Sequence, residues 1–312
     1  MVFLYKFVIK RILMLIPILI GVTFIVFGIL SLTPGDPGTL ILGLDAKPEA
    51  IAKMNHDLGY DKPFLVRFFD YLLGIFRGDF GKSYLSGKPV YDEILQRFPT
   101  TLKLATMSLI LAVIIGLIIG IISAIRQYSL LDVVSTVIAM FAASIPQFWL
   151  GLMLMLIFSL KLKWLPTSGL DSIKGFILPS VTLATGLAAA ILRLTRSAML
   201  ETIRQDYIRT ARSKGVPEMI VIWKHALKNA LLPVITVIGM SFGALMGGAV
   251  LVESVFGLPG LGTLTLTAIR SKDIPMVMAS QLFFSAIFML IMLLVDILYA
   301  FVDPRVKSRY AK

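Results

Sequence analysis

Long charge-free apolar stretches alternate with polar connections along this chain. Runs without Asp, Glu, Lys or Arg occupy residues 12–35, 104–125, 133–160, 175–192, 229–252 and 274–295. A helix crossing the roughly 30 Å hydrocarbon layer needs about 20 apolar residues, and lipid offers its backbone groups no partner outside the helix itself. The pattern predicts an all-α polytopic membrane protein with about six transmembrane helices. The fourth run is short and contains Pro179. The first follows Lys6, Lys10 and Arg11, but it is longer than a secretory signal core and no small-residue cleavage site follows, so it reads as a retained spanning helix.

Between the first two runs, residues 34–98 are too long for a turn and too mixed for disorder. Helical spacing recurs in 46–58 and in 64–76, where Phe64, Leu65, Phe68, Phe69, Leu72 and Leu73 follow one another at helix intervals. This predicts a small helical extracytoplasmic insertion. The organisation is then residues 1–33 (tail and first span), 34–98 (insertion) and 99–312 (core, with a cytoplasmic loop at 201–233). Gly81-Lys82-Ser83 matches the end of a phosphate-binding loop, but Phe76 stands where its first glycine belongs, so a turn between helices is expected.

Composition narrows the class. Of 312 residues, 57% are hydrophobic and 15% charged, which excludes an ordinary soluble domain. With no cysteine and only His56 and His225, neither a disulfide framework nor a cysteine or paired-histidine metal site is expected. The net charge of +12 does not point to nucleic acid in so apolar a chain; it reports orientation. Lys and Arg cluster at both termini and between Arg193 and Lys228, so both termini and the 201–233 loop are expected in the cytoplasm.

Inside the spans, Gly116/Gly120 and Gly239/Gly243/Gly247 are small-residue repeats that let helices approach closely, either for sliding or for static packing. Pro146 and Pro233 interrupt runs and free a carbonyl four residues back. At Pro146, flanked by Ser144 and Gln147, a kink lining a polar pathway and a packing kink both fit. Asp296 is an ionisable group near the inner end of the last span, with Arg193 or Arg196 as its expected structural partner. The 201–233 loop reads as a helix over 207–214, a stop at Gly215, Val216 and Pro217, and a second helix over 218–231 with Ile220, Trp223, Ala226 and Leu227 on one face. It suits a membrane surface or a soluble partner equally.

Tyr207-Ile208-Arg209-Thr210-Ala211-Arg212 with Lys214-Gly215, and His225-Ala226-Leu227-Lys228-Asn229-Ala230 followed by Leu232-Pro233, resemble the coupling loop of inner-membrane permease subunits of ATP-binding-cassette importers, in the oligopeptide and dipeptide branch. Pro34-Gly35-Asp36-Pro37, Gly78-Asp79-Phe80-Gly81, Ser144-Ile145-Pro146, Phe256-Gly257-Leu258-Pro259-Gly260-Leu261-Gly262 and Asp303-Pro304-Arg305 agree in order. Of the wider E-A-A, three residues, Gly pattern, only Ala211, Gly215 and Leu227 are kept.

The resemblance implies that Tyr207, Arg209, Thr210, Ala211, Lys214, Gly215 and Leu227 couple to ATPase subunits, and that Phe256, Pro259 and Gly260 join Ser144, Pro146 and Gln147 as pathway or gate candidates. It implies a prokaryotic inner-membrane location, a second permease paralogue, two cytoplasmic ATPases holding ATP and Mg, and an extracytoplasmic substrate-binding protein, with no cofactor and no catalysis in this chain. Peptides are the expected substrate; nickel chelates or glutathione are the alternatives within related branches. A stand-alone secondary transporter would need an ionisable group in mid-membrane, and a membrane enzyme a cluster of acid, base and nucleophile; neither is visible in the spans.

Overall fold

The computed structural model describes residues 2–32, 35–43, 45–169 and 172–302. Pro34, Asp303-Pro304-Arg305, Lys307, Arg309 and Lys312 lie outside the described residues, as do the side chains of Lys6, Lys10 and Arg11. Helices dominate: α1 Val2–Leu32, α2 Pro37–Leu42, α3 Pro48–Asp57, α4 Phe64–Phe76, α5 Val90–Ile125, α6 Leu130–Ser144, α7 Gln147–Leu154, α8 Lys174–Ile203, α9 Asp206–Ser213, α10 Glu218–Ile220, α11 Leu227–Gly248, α12 Val250–Val255, α13 Leu261–Arg270 and α14 Ile274–Val302. Two π-helical stretches, Met155–Lys161 after α7 and Val221–Ala226 before α11, complete the order.

Among the described residues, five helical segments are long and apolar enough to cross a membrane: Leu13–Leu32, Val90–Ile125, Lys174–Ile203, Glu218–Gly247 and Ile274–Leu298. The third predicted run, 133–160, is not one straight span. It is α6 followed by α7 and its π-helical extension, bent by 101° at the junction. The cause is local. Proline's ring disfavours the helical conformation in the residue before it, and Ile145 is extended at φ −75°, ψ 125°. Pro146 then opens α7, where a missing N–H costs nothing. By contrast Pro17, Pro99, Pro179 and Pro233 lie within unbroken helices.

The chain divides into two compact units. The first comprises Met1–Ile9, Leu102–Leu258 and Leu290–Lys312. Its centre is α8, against which α6, α7 and α11 pack; the short run containing Pro179 thus proves to be part of a helix that is 67% buried in its most apolar stretch. The glycines explain one contact. A Cβ at Gly116 would stand 2.7 Å from Ile191 and one at Gly120 2.8 Å from the Leu192 carbonyl, so α5 approaches α8 at a distance only glycine allows. Gly239 meets Val295 of α14 in the same way, whereas Gly247 faces open space.

The second unit comprises Lys10–Thr101 and Pro259–Met289. Both expected insertion helices form, as α3 and α4. Phe68 of α4 is buried with Phe27 and Met278, Phe64 packs against them, and Phe24 stands edge-on to the rings of both Phe64 and Phe68. Asp36 caps α2 by accepting from the Thr39 N–H at 2.9 Å and from Asn55 Nδ2 at 2.7 Å; these bonds hold its carboxyl below the usual aspartate range. Gly81-Lys82-Ser83 forms a turn, with Gly81 at φ 79° and an isolated bridge from Lys82 to Pro89. The buried Ser83 hydroxyl donates to Asp273, which also accepts from the Leu85 N–H at 3.3 Å. Ser83 has a structural partner in place of a phosphate.

Candidate functional site

The 201–233 region folds as a helical hairpin whose geometry follows from Gly215. Helix α9 ends at Ser213; the Gly215 N–H donates to the Arg212 carbonyl at 2.9 Å and the Val216 N–H to the Ala211 carbonyl at 3.2 Å. These two bonds make a Schellman ending, which needs a left-handed residue at its turn. Gly215 fills that place at φ 74°, with nothing within 4 Å of where a Cβ would stand. Arg212 clamps the turn from outside, donating from Nε and Nη2 to Glu218 at 3.0 and 2.6 Å, and this bond raises the Arg212 pKa. Tyr207 accepts a hydrogen bond from Asn229 Nδ2 at 2.7 Å, tying α9 to α11.

Ile208 is the hairpin's anchor, fully buried with Met199, Val221, Ile222 and Ala226, and with Ala211, Val216 and Leu227 packed at the margin. Arg209, Thr210, Lys214 and Gly215 point outward and are exposed. Of the seven predicted coupling residues, Ala211 and Leu227 therefore support the hairpin, Gly215 shapes its turn, and Tyr207, Arg209, Thr210 and Lys214 form its outer surface.

The second helix differs from the expectation in register and extent. Ile220 and Trp223 are exposed, whereas Val221 and Ile222 are buried with Ala226. The π-helical stretch Val221–Ala226 is the reason: bonding i to i+5 widens the turn, so a face counted at 3.6 residues per turn drifts off the core. The helix also continues into the fifth predicted span through α11 without a stop. Met219, Ile220 and Trp223 are consequently uncovered apolar side chains on this helix, and Lys224, next to Trp223 in sequence, is exposed with them, as is Lys214 at the end of α9.

A second cluster escaped the sequence reading. Asp132, in the first turn of α6, accepts from Arg196 Nε at 2.6 Å and Nη2 at 2.8 Å, from the Tyr128 N–H at 2.9 Å and from the Ser123 hydroxyl. Four bonds converge on one buried carboxylate, joining α5, its following turn, α6 and α8. The signal was present as Ser129 three residues before Asp132, a cap pattern that places this carboxylate at a helix start. Arg196, offered as a partner for Asp296, is thus taken by Asp132. Arg193 is exposed and joins no ion pair among the described residues, so the Asp296–Arg193 pair is not formed; the packing of α6 on α8, not visible in linear spacing, decides which carboxylate the arginine reaches.

The pathway candidates separate. Gln147, at the start of α7, lines a cavity of about 250 Å³ with Leu183, Leu187, Ser241, Ala244 and Leu245. Ser144 and Pro146 flank the bend and are exposed, the Ser144 hydroxyl donating to the Met140 carbonyl at 2.9 Å. Phe256 is buried against Gly151 of α7, filling space within the first unit. Pro259 and Gly260 belong to the second unit, where Gly260 precedes α13 and the Leu261 N–H donates to Thr101 Oγ1 at 2.8 Å.

An all-helical chain with five or six membrane-crossing segments, a broken span and an exposed hairpin on a buried anchor has the features of a transporter's membrane subunit. The comparisons with known proteins agree. The chain belongs to the family of binding-protein-dependent transport system inner membrane components, matched over residues 116–308, with the N-terminal part of such membrane components matched over residues 4–105. It is 44% identical over 304 residues, 97% of this chain and 99% of the relative, to the glutathione transport system permease protein GsiC of Escherichia coli K12. The GsiC of Salmonella typhimurium LT2 matches equally, at 44% over 304 residues and the same coverage. In fold it is similar to the inward-facing MetNI methionine ABC transporter (TM-score 0.55, 22% identity, 67% of this chain and 96% of that one). A solved amino acid ABC transporter is similar too (TM-score 0.53, 15% identity, 67% and 93%). The chain is a multi-pass permease subunit of an ABC importer in the inner membrane.

Proposed function

We propose that this subunit forms half of a translocation pathway for short peptides and that glutathione, itself a tripeptide, is the first substrate to test. The observation that carries the coupling half of this reading is the hairpin at Gly215. It combines a buried anchor, a turn that only a left-handed residue fits comfortably, and the uncovered apolar side chains of Met219, Ile220 and Trp223 with the exposed cations Lys214 and Lys224. Uncovered apolar side chains accompanied by charge suit docking to a soluble protein. The partners are two cytoplasmic ATPases, which hold ATP and Mg and do the hydrolysis, a second permease paralogue completing the pathway, and an extracytoplasmic binding protein delivering substrate. Both termini and the hairpin then face the cytoplasm.

Substrate preference for peptides draws support from the relatives and from Gln147 and Ser241 at the cavity behind the bend, where an amide and a hydroxyl can meet peptide groups without a fixed charge. Uptake of labelled glutathione, a dipeptide and a nickel chelate into proteoliposomes holding the full complex tests the reading. ATP-dependent uptake of glutathione or the dipeptide, abolished by Gly215→Asp, is expected. Uptake by the isolated chain, or of the nickel chelate alone, overturns it.

A further inference from the structure

The second unit contains a cavity that the transport reading does not use. Of about 230 Å³, it is below the roughly 300–1,000 Å³ of sites for drug-sized ligands and matches an amino-acid-sized molecule. Aromatic and apolar side chains form most of its wall, including Phe27, Tyr60, Phe80, Tyr84 and Met278. The polar content comes from Ser31, from the paired Lys62 and Asp70, and from Arg67 and Tyr71, which stand four residues apart on α4 and therefore side by side. The Arg67 guanidinium carbon lies 4.4 Å from the Tyr60 ring centre and 5.7 Å from that of Phe27. Such cation–π contacts hold the guanidinium against the aromatic wall without using its N–H donors.

Those donors are not consumed. Arg67 Nε and Tyr71 Oη are both buried and, among the described residues, neither has a hydrogen-bond partner. Arg67 joins no ion pair there either: the nearby carboxylate of Asp70 is engaged by Lys62 Nζ at 2.9 Å. A half-buried guanidinium without a counter-ion is unfavourable unless an anion completes it. The hydroxyls around it are donors at any physiological pH, since burial raises the Tyr71 pKa and pushes that of Tyr84 up to about 12. Cation, hydroxyl donor and aromatic walls together match a carboxylate attached to a small apolar body, which the planar fork of arginine recognises through paired bonds.

We infer that this cavity is a binding site for a small organic carboxylate, held by Arg67 and Tyr71 and enclosed by the Phe27, Tyr60 and Tyr84 rings. The inference is independent of which solute the transporter moves. It is tested by calorimetry on the full chain, with its co-purifying subunits, in nanodiscs of zwitterionic phosphatidylcholine, using N-acetylalanine and its uncharged amide as probes. The acid is expected to bind at least about tenfold more tightly than the amide, a preference lost in Arg67→Gln and weakened severalfold in Tyr71→Phe. Lys53→Ala, which removes a cation of α3 outside the cavity wall, leaves the affinity within about twofold.

Tyr71→Phe keeps the ring packing, so it decides the matter should Arg67→Gln fail to fold. Absence of acid binding, equal binding of acid and amide, or an unchanged preference in folded Arg67→Gln overturns the inference. So does loss of the acid's binding in anionic phosphatidylglycerol nanodiscs, which would assign the cation to a lipid phosphate.

Discussion

Two turns in the first unit carry the same chemical device in opposite surroundings. After α5, Arg196 grips Asp132 through two parallel bonds with side chains 26% and 3% exposed. Between α9 and α10, Arg212 grips Glu218 in the same way with side chains 39% and 55% exposed. The first pair is enclosed by a serine hydroxyl and a backbone N–H, so every lone pair of the carboxylate is engaged away from water. The second is wet on one side and spans a glycine turn. An arginine–carboxylate fork is therefore not one structural element: where water is excluded, breaking it strands a charge, and where water is present, breaking it only loosens a shape.

The largest effect is expected at the buried pair. Asp132→Asn keeps the outline of the side chain but leaves Arg196 uncompensated, which should cost about 3–5 kcal/mol, read as a drop in unfolding free energy in mixed micelles. The double variant Asp132→Leu with Arg196→Met removes both charges and should be clearly more stable than Asp132→Asn. If the single and double variants are equally damaged, the carboxylate's bonds to Ser123 and Tyr128, not the ion pair, hold this turn.

How much of this was legible from residues alone depends on whether neighbours in space were neighbours in sequence. The α9 helix, its stop at Gly215 and the two insertion helices were readable, because capping and turn geometry are local. The break at Pro146 was readable in kind, since proline restricts the residue before it, but not the 101° bend, which packing sets. The face of the second hairpin helix was misread because a π-helical turn has no reliable local signature. The partner of Arg196 was misread because only the packing of α6 on α8 brings position 132 to position 196.

The exposed turn gives smaller and more specific effects. Gly215→Ala forces an L side chain into a left-handed backbone, worth about 1–2 kcal/mol, with open space around it. Gly215→Asp adds a negative charge beside the exposed Lys214 as well. Both variants should insert normally; uptake should fall in the first and vanish in the second. Smaller again is Arg212→Ala. An exposed fork is worth about 0–1 kcal/mol, so the melting curve should barely move, while loosening of the turn weakens co-purification of the ATPase. A destabilisation matching that of Asp132→Asn would erase the distinction between the two pairs.

A third pair extends the series to full exposure, and it can be followed by pH. In the second unit His56 Nδ1 lies 2.7 Å from Asp61, with side chains 78% and 51% exposed. The hydrogen bond to Asp61, and then its charge, raise the His56 pKa above 6.5, while the same bond lowers that of Asp61 below 3.8. For the histidine, the contribution is fully present below 6.5 and is lost as pH rises through the raised value. For the aspartate, it is present above 3.8 and lost as pH falls through the lowered value. The contact thus persists across mildly acidic pH and fades on the alkaline side of the histidine's ordinary range. NMR titration of the His56 ring should place its midpoint above 6.5, with Asp61→Asn moving it down and about 1 M salt doing the same, since screening then acts within about 3 Å. The melting curve should stay unchanged throughout. A midpoint insensitive to both changes would mean that this fork does not form in water, and that water access alone is enough to separate an arginine pair from a histidine one.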